Sequence, residues 1–385
     1  MTTPQTHTRH ATLQDMVALL RTNHARKVDT VAPVSALRSE GGVLVVEGAE
    51  PEITLDGVTS GDGRYLPTQV CDGGIASRLG IPPGYLATMR AKHVDLYDAN
   101  VNGWFGHADN AGKKYLVRGF RADGGGSIGV GRALLSDSYA MIEDVDVLMT
   151  VLGAINEAGV EVQIRGCDLT DRRMYVQVVC EQVAINAYEL VKNYRSPFSG
   201  QAGADLPMAF AGFEIGNSEV GHGRFSIAPR IELQVCKNGQ TRRVDAFERQ
   251  HLGGKLEAGV IKWSEETEQA NLQLIRKMTV DAVRRFLSPE YAQSFVDDLT
   301  RDAGIPVTKP ADTIKSVSAA LRFSEGQQDA ILAMFIKGGD MTTGGVMHAV
   351  TAAAQAESDA DLAAEMEGAA FRVLSLAARA ARADA

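Results

Sequence analysis

Residues 210–254 read FAGFEIGNSEVGHGRFSIAPRIELQVCKNGQTRRVDAFERQHLGG. FAGFEIG (210–216) and FSIAPRIELQVC (225–236) have the short, β-branched and aromatic character of strands. Lys237, Asn238, Gly239 and Gln240 supply an Asn-Gly turn of the kind that closes a hairpin. The stretch therefore predicts antiparallel strands at the centre of the chain, with a polar, glycine-rich loop between the first two.

That loop, NSEVGHGR, sets Asn217, Ser218, Glu219, His222 and Arg224 around Gly216, Gly221 and Gly223. One reading is a polar pocket of a hydrolase acting on a nucleotide or phosphodiester, with Glu219 as acid or base, His222 as its partner and Arg224 as an anion clamp. The other is architectural: Asn217 and Ser218 satisfy backbone groups in a sharp bend while the glycines supply special dihedrals. GNSEVG is not a nucleophile elbow, which needs Gly two residues to each side of the Ser. One His near one Glu does not make a metal site, so neither metal nor cofactor is expected.

Beyond the turn, Lys237, Arg242, Arg243, Arg249, His251, Lys255 and Lys262 outnumber Asp245, Glu248 and Glu257. Such a local excess of positive charge can follow a phosphodiester backbone, with Phe247 or Trp263 to stack on bases. A solvated face with salt-bridge partners gives the same pattern.

Working outward, VEVQIRG and RMYVQVV flank CDLTDR as a further hairpin, and KYLVRGF (114–120) and GRALLSDSYA (131–140) read as strands. Gly124, Gly126 and Gly129 satisfy G-x-G-x-x-G, but a strand rather than a helix follows, so the run is read as a hairpin loop. Val145, Leu148, Met149 and Leu152 predict one face of a helix ended by Gly159. Residues 68–90 predict two short helices joined at Gly80; a groove-reading version would project Tyr85, Thr88 and Arg90 into DNA, and a packed helical hairpin uses the same spacing. Near the N-terminus a polar tail precedes a short amphipathic helix with Thr12 as N-cap and Leu13, Met16, Val17 and Leu20 on one side. From Ser264 the pattern is helical to the end, with Leu272, Ile275, Thr279, Ala282 and Phe286 as one buried stripe.

The fold class expected is α+β: an antiparallel twisted sheet with packed helices, followed by a helical C-terminal subdomain. The divisions expected are 1–40 for the tail and first helix, 41–259 for the core and 260–385 for the helices. Apolar residues are 45% of the 385, charged residues 23%, and the formal charge is −9, which argues against wholesale binding to nucleic acid or anionic membrane but allows a basic patch. Four scattered cysteines without a C-x-x-C pair suit a reducing cytoplasm, and no run approaches the roughly 18 apolar residues of a membrane span.

LGIPPGYLATMR, NVNGWF, GRALLSDSYAMIEDVDVL, GCDLTDRRMYV, GFEIGNSEVGHGRFSIAPRIELQVCKNG and RQHLGG follow one another along the chain. In these the sequence resembles the phage/plasmid-like proteins of domain-of-unknown-function family 932. The resemblance implies a mobile-element context and assigns no catalytic residue. Joined to the basic run, it leads to the expectation of a non-enzymatic DNA-binding protein of mobile-element DNA metabolism. In that reading a ring or row of subunits presents Arg242, Arg243, Arg249, His251 and Lys255 to a single strand, in the manner of a single-strand annealing protein. An enzyme using residues 216–224, and a phage-type interaction or regulatory protein, are the alternatives.

Overall fold

The chain passes between two sheets before its first helix is complete. The computed structural model describes residues 6–49, 52–54, 57–122, 128–139, 142–237, 239–249 and 265–383. Strand β1 (Thr8–Ala11) precedes helix α1 (Leu13–Arg26), and β2 (Lys27–Pro33), β3 (Leu37–Glu40), β4 (Val43–Val46), β5 (Glu52–Thr54), β6 (Gly57–Thr59) and β7 (Gly63–Pro67) follow it. Helices α2 (Gln69–Leu79), α3 (Pro83–Lys92) and α4 (Val94–Phe105) lead to β8 (Lys114–Phe120), β9 (Gly129–Ser136) and α5 (Asp144–Ala158). Then come β10 (Gln163–Leu169), β11 (Met174–Asn186), α6 (Tyr188–Val191), β12 (Met208–Asn217), β13 (Phe225–Leu233), β14 (Gly239–Thr241) and β15 (Phe247–Arg249). The rest is helical: α7 (Glu265–Phe286), α8 (Pro289–Ala303), α9 (Pro310–Leu321), α10 (Glu325–Gly338), α11 (Thr343–Ala356), α12 (Ala360–Gly368) and α13 (Ala370–Ala383).

The expected α+β class is the observed one, with two main sheets rather than one. The larger runs β1-β10-β11-β12-β13, and β13 pairs with β14 at its C-terminal half and β15 at its N-terminal half. The smaller runs β2-β8-β9-β7-β4-β3, antiparallel except for β7 beside β9; that parallel pair needs a long crossover, which α2–α4 and β8 provide. The strand β1 lies within the polar tail expected to be unstructured. The outer edge of β10 offers it unpaired backbone groups, and the buried Asp168 carboxylate accepts from the His10 amide and pairs with Arg9.

Local chemistry sets the elements. The Thr12 hydroxyl accepts from the Asp15 amide and caps α1, burying Met16 and Leu20. Ser324 and Gln327 close a reciprocal capping box at α10, and Gly80 ends α2 at φ +70°. Helix α5 turns a different face inward than the spacing suggested: Val147, Leu148, Val151, Ala154 and Ile155 are buried while Met149 is exposed. The largest core lies between one face of the larger sheet and helices α1, α5, α7, α8 and α11, and a second fills the space between the smaller sheet and α2–α4. Helix α11 is buried from Thr343 to Ala354, so the C-terminal helices are wrapped around it.

The opposite face of the larger sheet is polar and also buried. Gln177, Glu214, Arg230 and Glu232 line it, and α12 covers it with Glu367, whose carboxylate lies 3.4 Å from the Arg230 guanidinium. Gly239 is already paired with Glu232 in β14, and a Cβ there would fall inside the Arg230 side chain. The glycine read as a turn residue is thus also the place where a buried arginine crosses the strand. Among the described residues no helix is long and apolar enough to cross a membrane.

Candidate functional site

The 217–224 loop divides between two environments. Its first three residues enter the seam where the sheets meet. The Asn217 amide donates to the Ile142 carbonyl at 3.0 Å and to Asp144 Oδ1 at 2.7 Å. The Ser218 hydroxyl accepts from the Val220 and His222 amides at 3.4 and 3.0 Å. Glu219 accepts from Arg132 of β9 at 2.6 Å and, through its other oxygen, from the Asp144 amide at the start of α5 at 2.7 Å.

Beneath them lies Arg118 of β8, 1% exposed, which donates to the Glu219 carbonyl, to Asp29 and to Glu143; Glu143 also takes Lys27 at 3.1 Å. Burial alone would disfavour the Arg118 cation, but Asp29, Glu143 and Glu219 together hold its pKa well above the ordinary value. At Glu143 burial opposes ionisation, the Arg118 charge outweighs it, and the net shift is down. Asp144 goes the other way: burial, then the neighbouring Glu219 charge, raise it well above the carboxylate range. Both Glu219 oxygens are committed to this seam. The space beside them is about 20 Å³, room for about one water and not for a substrate. His222 lies outside the seam, and no hydrogen bond or ion pair joins its ring to Glu219 among the described residues. Its pKa is lowered by partial burial and then by Arg172.

The basic run is also split. Arg242 lies between the rings of Phe295 and Phe371, at 4.5 and 4.4 Å, with its guanidinium on Asp298 at 2.8 Å and Asp245 at 3.4 Å. Arg243 turns toward the polar face of the sheet and pairs with the buried Glu214 at 2.6 Å. Both bind the sheet to the C-terminal helices, so neither offers its charge to a passing strand. Phe247 packs edge-on against Phe225. Arg249 stands in β15 opposite Phe225. His251, Lys255, Lys262 and Trp263 lie outside the described residues.

What the tertiary structure does bring together is one end of the larger sheet. The β10–β11 turn carries Arg172 and Arg173, the β12–β13 loop carries His222 and Arg224, and β15 brings Arg249 beside the latter. Arg173 reaches across, donating to the Arg224 carbonyl at 3.3 Å and passing over the Tyr175 ring at 5.4 Å; a Cβ at Gly223 would meet that guanidinium at 2.7 Å. Arg224 pairs with Glu248 at 3.2 Å, both exposed, an arrangement worth little in water. The exposed Arg172 guanidinium has no ion pair among the described residues. Beside the turn opens a cleft of about 520 Å³, bordered by β1, the start of α2 and the α11–α12 turn. Arg172 and Arg173 were missed as site residues. The available signal was a pair of arginines in the tight turn CDLTDRR, where charge must face water, whereas Arg242 and Arg243 follow a strand and turn inward.

The remaining groove-reading residues divide similarly. Arg90 is tied to Asp72, to the Gly42 carbonyl and over the Tyr97 ring, while Tyr85 is exposed. Among the described residues no cluster of His, Cys, Asp or Glu could hold a metal ion. No family model, curated protein or solved structure matches this chain.

Proposed function

We propose that the chain is a nucleic-acid-binding protein of mobile-element DNA metabolism, working in the cytoplasm. It takes a single strand along the β10–β11 and β12–β13 end of the larger sheet. The observation that carries this is the convergence of Arg172, Arg173 and Arg224 from two successive loops at the mouth of an open cleft. The chain runs on from Arg249 into the segment that holds His251, Lys255 and Lys262. Phosphates would displace counterions from these side chains, which is the main source of affinity for a strand read without sequence preference. The resemblance to domain-of-unknown-function family 932 supplies the mobile-element context.

Anisotropy titration of a labelled oligothymidylate across a salt series tests the reading. Binding is expected to weaken steeply with salt, and the double variant Arg172→Ala/Arg224→Ala is expected to lower the slope of log K against log salt by about two. Absence of salt-sensitive binding to both single- and double-stranded DNA would overturn it.

A further inference from the structure

The cleft beside Arg172 has a composition that the strand-binding reading does not use. Four segments remote in sequence build it: His7–Arg9 of the N-terminal strand, Gln69 and Val70 of α2, Leu169–Arg172 of the β10–β11 turn, and Ser358–Asp361 before and within α12. A junction of this sort, where both sheets and the C-terminal helices meet, is where ligand clefts occur preferentially. Its volume of about 520 Å³ lies within the range of small-molecule sites, roughly 300–1,000 Å³.

The charged groups of the cleft are unequally committed. Asp359 caps α12 by accepting from the Asp361 and Leu362 amides at 2.8 and 3.2 Å. Asp361 accepts from the Tyr175 hydroxyl at 2.8 Å, and Asp171 faces His7 at 3.6 Å. Arg9 is neutralised by the buried Asp168. Arg172 keeps its guanidinium for an anion, and no hydrogen bond joins the exposed Gln69 carboxamide to another described residue. The acids still have acceptor capacity, since an ionised carboxylate offers about four lone-pair sites. The floor, Val70, Leu169 and Ala360, is apolar.

An occupant must therefore carry one anionic group for Arg172, amino donors for Asp171 and Asp361, a hydrogen-bonding edge for Gln69, and a flat or apolar body. We infer that the cleft binds a nucleoside monophosphate whose base bears an exocyclic amine, as one unit of a strand lying on the basic end. This rests on the proposed nucleic-acid binding and adds to it a site that reads the base.

The test is calorimetric titration of dCMP and dTMP into the full chain, run beside oligonucleotide anisotropy on the same preparation. The cleft is blocked by Ser358→Trp, an exposed position on its wall, and its amide is removed by Gln69→Ala. dCMP is expected to bind more tightly than dTMP, and either variant to weaken dCMP by about tenfold, the scale of a lost hydrogen bond or two. The inference is overturned if dCMP does not bind, if dTMP binds as well, or if both variants bind dCMP like the parent chain. Should the parent bind oligonucleotide in any of these cases, the failure belongs to the cleft alone; should the oligonucleotide also fail to bind, the functional proposal falls with it.

Discussion

Glu219, in the loop that follows β12 of the larger sheet, accepts from Arg132 of β9 in the smaller sheet at 2.6 Å, with side chains 9% and 12% exposed. This pair, Arg118 below it and the α5 N-terminus beside it fasten one sheet to the other.

Removing one member should leave its partner charged and buried. Glu219→Ala strands Arg132 and the Asp144 amide together, so a loss of about 3–5 kcal/mol is expected. Urea denaturation of Glu219→Ala, Arg132→Ala and the double variant checks it. The coupling term of the cycle should be of the order of 1–3 kcal/mol, and a coupling of zero would remove the seam from the account.

Asp144 should make stability depend on pH in the direction opposite to an ion-paired carboxylate. Its folded pKa is raised by burial and by Glu219, so above the ordinary carboxyl pKa of about 4 the folded state holds a proton that the unfolded state releases. This contribution to stability therefore falls as pH rises from about 4 through the raised value. Asp144→Asn should remove that component and gain relative to the parent as pH increases, read from denaturation midpoints between pH 5 and 8. A gain that shrinks with rising pH contradicts the sign.

Arg242 is expected to report on stability and not on DNA. Arg242→Ala removes the stack between Phe295 and Phe371 and unpairs Asp298, a cost of about 2–4 kcal/mol. The salt slope for oligonucleotide binding should stay at the parent value. A fall in slope with unchanged stability would return this residue to the binding surface.

Gly239→Ala offers a separate check of the strand assignment. A methyl placed in the path of the Arg230 guanidinium should cost about 1–3 kcal/mol, the scale of overpacking. A thermal midpoint equal to that of the parent would mean that Arg230 does not cross the strand there.

The periodicity of short segments determined much of the secondary structure, because it reports which side of an element meets apolar surroundings. The β10–β11 and β12–β13 hairpins, the Thr12 cap, the helix pair at Gly80 and the α7 stripe from Ile275 to Phe286 were all legible in this way. Charge is different, since a side chain's charge is local but its neutralisation is not. Arg242 and Arg243 are as basic in the sequence as Arg172 and Arg173. What separates them is that Asp298 and Glu214, 56 and 29 residues away along the chain, fold against the first pair. Glu219 likewise reads as a free acid beside a histidine until Arg132, 87 residues upstream, and the start of α5 take both its oxygens. The sequence by itself determined the α+β class and the hairpin carrying the polar loop; only the tertiary structure decided which charges hold the sheets together and which are left for a ligand.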